Sequence, residues 1–261
     1  MRRLLLILAT LAALPLSAAT RYTIDVETTG DALQQRRFRA TVLVDGAHRR
    51  VDVERKETPF TYDVLLSDDG GATWIALNTP LKTWFRESSG WLTPRAHVFA
   101  SWPLMGKNRD LEIRDVKVSA SEEPSEPLLG YAAQKHVVRT SFAARQGRGA
   151  ARIDLDYGAT AIVTTTDAVD PALAPRTINL TTGVAAVDAQ LEPALASIHG
   201  FPLKTVLSAT RMYAGGRPQT NTVAATISDI RTVPAPPPAF ERPAGYVYQE
   251  PVIAAPGRSS P

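Results

Sequence analysis

The chain has no cysteine among its 261 residues. That excludes disulfide staples, thiolate nucleophiles and cysteine-ligated metals. It also excludes a bacterial lipoprotein, whose acyl anchor needs a cysteine at the cleavage site. A strong charge of one sign is missing too: 29 Lys and Arg face 26 Asp and Glu. Nucleic-acid binding needs a concentrated Lys/Arg field to displace counterions from phosphates, so this balance argues against it. Arginines do gather at Arg36-Arg37-Phe38-Arg39 and His48-Arg49-Arg50, but acidic residues dilute them, and both groups read as solvated strand faces.

Histidine is scarce, and His48, His97, His136 and His199 show no His-x-His or His-Glu-x-x-His spacing. No metal site and no cofactor is expected from that pattern. Ser88-Ser89-Gly90 lacks the Gly-x-Ser-x-Gly elbow, no nucleophile–base pair is visible, and no catalytic residue is assigned. Asp154-x-Asp156 is read as part of a polar outer face. Asp68-Asp69-Gly70 lacks the rest of a calcium loop and reads as a hairpin turn.

No apolar run reaches the ~20 residues that a membrane-spanning helix needs. The largely apolar run Leu4–Leu14 follows Arg2–Arg3, is closed by Pro15, and leads into Ser17-Ala18-Ala19. A basic start, a short apolar run and small residues at a cleavage point read as a secretory signal peptide over residues 1–19. The mature chain then has 27 basic and 26 acidic residues, no lipid anchor and no integral membrane segment, and is expected in the periplasm. Without staples it must rest on an ordinary hydrophobic core.

What is present is alternation. Tyr22, Ile24 and Val26 share one strand face, and Phe38, Ala40, Val42 and Val44 share the next. Asp45-Gly46 and Asp68-Asp69-Gly70-Gly71 are turn signals between further alternating runs. Leu111 to Val118 is a less cleanly patterned strand, and Ser121–Pro127 reads as a polar loop. Strands resume at 131–142, 150–155, 161–166, 200–213 and 220–230. One helix is expected, with Thr182 as its cap, Val184, Val187, Leu191, Leu195 and Ile198 as its apolar stripe, and Gly200 past its end. Pro193 should kink it or delay its start. Residues 20–231 form one β domain in this reading, and residues 232–261 a Pro-rich tail in which Phe240, Tyr246 and Tyr248 can pack back.

Aromatic residues make up only 7% of the chain, yet all four tryptophans fall between Trp74 and Trp102. Trp74, Trp84, Phe85, Trp91, Phe99 and Trp102, with Phe201 beside the helix, are candidates to line an apolar ligand cavity; a filled core cluster is the alternative.

Three pieces of the chain resemble an uncharacterised group of secreted bacterial proteins related to the LolA/LolB-like superfamily. The first is Asp45-Gly46 with Arg49-Arg50-Val51-Asp52-Val53 and Leu65-Leu66-x-x-Asp69-Gly70. The second is Leu129-Gly130-Tyr131 with Lys135-His136. The third is His199-Gly200-Phe201-Pro202-Leu203-Lys204, with Phe240-x-x-Pro243-Ala244-Gly245-Tyr246 after it. The resemblance implies a mainly β fold: a curved antiparallel sheet, or half-barrel, with an amphipathic helix and loops covering an apolar concave face. In the carrier members that hollow holds lipoprotein acyl chains. Those carriers have several covering helices where this chain shows one, so the resemblance transfers the fold and no catalytic residue. The expectation is a non-enzymatic periplasmic protein that binds a lipid or lipoprotein acyl chain. The alternative is a structural or interaction protein with a filled core that docks a cell-envelope protein.

Overall fold

Alternation in sequence becomes alternation in burial along nearly every strand. The computed structural model describes residues 17–30, 36–54, 62–87, 111–146, 153–174, 182 and 184–250. Within them the chain forms β1 (Ser17–Gly30), β2 (Arg36–Asp45), β3 (His48–Val53), β4 (Val64–Ser67), β5 (Trp74–Asn78) and β6 (Thr83–Glu87). There follow β7 (Leu111–Pro124), β8 (Gln134–Gln146), β9 (Ile153–Thr166), α1 (Ala185–Ala196), β10 (Phe201–Tyr213), β11 (Gln219–Ala235) and β12 (Val247–Tyr248).

All twelve strands belong to one curved open sheet, ordered β12-β6-β5-β4-β3-β2-β1-β11-β10-β9-β8-β7. Two meanders, β1 to β6 and β7 to β11, are joined by the antiparallel β1–β11 pair, which runs from Ser17↔Ala235 to Gly30↔Asn221. Register shifts interrupt β1–β11 at Arg21/Thr23, β9–β10 at Pro202/Lys204 and β7–β8 at Arg114/Lys117. Such irregularities bend a strand and sharpen its twist, which is how a long sheet curls. Both edges are blunted against pairing with other chains. β12 is only two residues long, and β7 carries Glu112, Arg114, Lys117, Glu122 and Glu123 before Pro124.

The covered face holds the main core. Tyr22, Ile24, Val42, Val51 and Leu65 from the first meander join Phe142, Leu155, Ala161, Phe201, Leu203 and Leu207 from the second. Each fully buried side chain of this size contributes about 1.5–3 kcal/mol. A smaller cluster, Val64, Leu66 and Leu77 with Ile75, Trp84 and Tyr246 packed on it, lies on the other face of β4–β6.

Helix α1 covers β7 and β8. Its stripe is the expected one, with Val187 and Leu191 buried and Leu195 and Ile198 half-buried against the core. Its ends differ from expectation. Val184, not Thr182, occupies the cap position, and it makes no side-chain capping bond. Thr182 acts two residues before it: its Oγ1 accepts from Val184 N–H, while its own N–H and hydroxyl donate to Asp188 Oδ1 at 2.6 and 2.7 Å. Pro193 lies inside the helix rather than delaying it. Ser197 is the C-terminal cap, and Gly200, at φ +83°, turns the chain into β10.

Three further expectations are corrected. Residues 121–124 continue β7, because proline and charge are tolerated on an edge strand. The Pro-rich tail expected from residue 232 contains strand: β11 runs to Ala235, and the chain returns through a 3-10 turn at Pro237–Phe240 to pair β12 parallel to β6. Arg49 is not on a solvated face. It shares the inward phase of Val51 and Val53 and is 6% exposed.

Candidate functional site

The covered face is closed beside α1 by a short strap. After β9, Asp170 Oδ1 accepts from Ala172 N–H at 2.9 Å and caps a 3-10 turn over Pro171–Leu173. Three consecutive carbonyls of this strap are held from across the sheet. Tyr22 Oη donates to Leu173 O at 2.9 Å, and Arg49 Nη2 and Nη1 donate to Ala172 O at 2.7 Å and Ala174 O at 2.5 Å. Burial pushes the Tyr22 phenol well above its ordinary pKa, and the Arg49 charge offsets part of that, so Tyr22 remains a donor at neutral pH. Arginine can face inward here because its fork meets carbonyl oxygens that would otherwise be buried unmet.

The candidate lining residues fall in three places. Phe201 is fully buried and meets Tyr22 edge-on at 5.6 Å. Trp74 and Phe85 belong to the same core, with Phe85 edge-on to Tyr62 at 5.7 Å. Trp84, next to Phe85 on β6, points to the opposite face, as neighbours on a strand must. There it meets Tyr248 at 4.9 Å and carries the Arg242 guanidinium 4.4 Å above its ring. Trp91, Phe99 and Trp102 lie outside the described residues. A cleft of about 360 Å³ opens between the β4–β6 hairpins and the returning tail, lined by Leu66, Trp74, Ile75, Arg86, Phe240 and Arg242. Trp74 Nε1–H is buried beside it with no hydrogen-bond acceptor among the described residues.

The second constellation was hidden by sequence distance. Glu122 on β7 stands directly opposite His136 on β8, and the turn after α1 brings His199 onto the pair. Glu122 Oε1 lies 3.5 Å from His136 Nδ1 and 3.7 Å from His199 Nδ1, and the two rings meet edge-on at 4.8 Å. His136 Nε2 is 3.0 Å from Thr165 Oγ1 on β9. Burial above all, and then His199, pulls the His136 pKa below its ordinary value, with Glu122 and Asp167 pulling the other way. The ring is therefore neutral at pH 7. The available signal was phase: His136 alternates with the inward residues Val138, Thr140 and Phe142.

The carboxylates singled out as non-functional are accounted for structurally. Asp154 accepts from Arg145 Nε at 2.8 Å on the outer face. Asp69 organises the turn between β4 and β5 by accepting from the N–H groups of Ala72 and Thr73 and the hydroxyls of Ser67 and Thr73. Ser88-Ser89-Gly90 lies outside the described residues.

No protein-family model matches the chain, and no curated protein matches it. A solved structure that it resembles is a LolA superfamily protein from Nitrosomonas europaea, 11% identical, covering 87% of this chain and 91% of that one, with a TM-score of 0.35.

Proposed function

We propose that the protein is a non-enzymatic periplasmic binder that takes an apolar or amphipathic ligand, a lipid or lipoprotein acyl chain, between the concave face of its sheet and the cover. One observation carries this reading. A broad apolar face is closed, among the described residues, by a 12-residue helix and a strap whose carbonyls hang on Tyr22 and Arg49. Hydrogen bonds to charged groups are worth about 1.5–3 kcal/mol each, so a ligand that displaces the strap must offset its two bonds to Arg49 and one to Tyr22 with buried apolar area. Trp74, Phe85 and Phe201 supply walls, and Trp91, Phe99 and Trp102 remain candidates beside them. The periplasmic assignment rests on the leader-like residues 1–19, the last three of which, Ser17–Ala19, also open β1. It accords with the finding that no helix among the described residues is long and apolar enough to cross a membrane.

The test is native mass spectrometry of protein purified from a periplasmic extract, followed by lipid extraction and displacement of a fluorescent acyl probe by fatty acid. A co-purifying lipid mass and saturable displacement are expected. A bare polypeptide mass, unchanged by incubation with lipids, would refute the reading. The near-complete burial of Tyr22, Phe201, Leu203 and Leu207 favours one alternative, a filled core whose tail or edge docks a cell-envelope protein. Truncation after Ala235 tests it: loss of partner capture by a protein that binds no lipid favours the alternative, and saturable lipid binding that survives the truncation refutes it.

A further inference from the structure

The geometry points to a second site independent of the acyl-ligand reading: Glu122, His136 and His199 form a binding site for one divalent transition-metal ion of the zinc class. One potential ligand atom from each lies within 4.8 Å of the other two. The two carboxylate–imidazole separations, 3.5 and 3.7 Å, are too long for charge-assisted hydrogen bonds, which close to about 2.7–2.9 Å. They are close to what a shared ion requires. Bonds of about 2.0–2.1 Å at tetrahedral angles place ligand atoms roughly 3.3 Å apart.

His136 and Glu122 also have the outer partners that metal ligands characteristically use. His136 can donate Nε2–H to Thr165 Oγ1 at 3.0 Å, which leaves Nδ1 as a lone pair facing Glu122. His199 Nδ1 lies 3.2 Å from Ser197 O and 3.7 Å from Glu122 Oε1, so as a ligand it gives up its contact with the carbonyl. Glu122 Oε2 accepts from Gln134 Nε2 at 2.8 Å, so Oε1 is the oxygen turned to the histidines. Two imidazoles and one carboxylate suit zinc and its neighbours better than magnesium or calcium, which prefer all-oxygen sets. Three protein ligands leave a fourth position for water or an added group.

The placement gives the ion a mechanical role. His199 lies between α1 and β10, whereas Glu122 and His136 belong to the β7–β8 edge pair on which α1 rests. A bound ion would pin the C-terminal end of the covering helix to the sheet.

The test is calorimetric titration of chelator-stripped, lipid-free full-length protein with Zn²⁺, and with Co²⁺ as a visible probe of four-coordinate geometry. One equivalent should bind. Glu122→Gln and His199→Ala, at exposed positions that should leave folding intact by circular dichroism, should each weaken binding about tenfold or more. His199→Ala should also abolish the Co²⁺ ligand-field bands, and His48→Ala should change nothing. No saturable binding, or an affinity unchanged in both Glu122→Gln and His199→Ala, would overturn the site. So would an affinity that depends on His48.

Discussion

Replacing Arg49 by methionine removes the strap's two charge-assisted hydrogen bonds and keeps an unbranched apolar side chain in its place. Each bond is worth about 1.5–3 kcal/mol, and the carbonyls of Ala172 and Ala174 are left without that donor. Against this, the folded state no longer holds a guanidinium out of water, a relief of several kcal/mol that recovers part of the loss. The expected net destabilisation is about 2–3 kcal/mol, or roughly 5–10 °C in Tm for a domain of this size. Urea unfolding followed by circular dichroism reads it directly, with an unchanged slope, because the exposed area is the same. Arg49→Lys, which keeps charge but not the two-pronged fork, should fall between. Tyr22→Phe, which loses only the bond to Leu173 O, should couple with Arg49→Met in a double-mutant cycle, since both act on one strap. An Arg49→Met protein within about 0.5 kcal/mol of wild type would refute this reasoning and show that the strap stays closed without Arg49.

Other consequences can be measured separately. Burial alone would raise the Asp69 pKa, but donors from Thr73, Ser67 and Ala72 outweigh that and hold it at about 2. A lowered folded pKa gives stability that is present above the unfolded value near 3.8 and is lost as pH falls through about 2. Carboxyl NMR titration should find Asp69 well below ordinary aspartates, and Asp69→Asn should flatten the acid limb between pH 4 and 2. Gly200→Ala should cost about 1–3 kcal/mol in denaturant titration. The left-handed φ of +83° disfavours a side chain, and a Cβ there would stand 3.1 Å from Asp167 Oδ1 and Thr165 Oγ1. Truncation after Ala235 strips Arg242 and Tyr248 from Trp84, so tryptophan emission should shift red. It should also lower stability by about 1–3 kcal/mol, and an unchanged spectrum would mean that the tail does not pack there.

Most strands were legible because burial on one face imposes a period of two over short stretches. The failures have local causes. Leu111 to Val118 read poorly because Asp115 adopts a left-handed φ of +56° where the β7–β8 register shifts. Ile113 therefore packs inward in one phase, and Val116 and Val118 in the other. Arg49 was misread because residue type was weighed above phase, although positions 49, 51 and 53 alternate together. Trp84 and Phe85 were grouped by aromatic character, whereas adjacency on a strand sends them to opposite faces.

The amino-acid sequence by itself determined most of the strands, the turns at Asp45-Gly46 and Asp69-Gly70, the helix α1 and the exclusion of thiol chemistry. These depend on residues within a few positions of one another. Only the tertiary structure decided that β1 pairs β11, that Arg49 reaches carbonyls 123 and 125 residues away, and that Glu122 and His136 meet His199. Those contacts follow from strand order and register. Both are set by the global burial of an apolar face rather than by any local spacing.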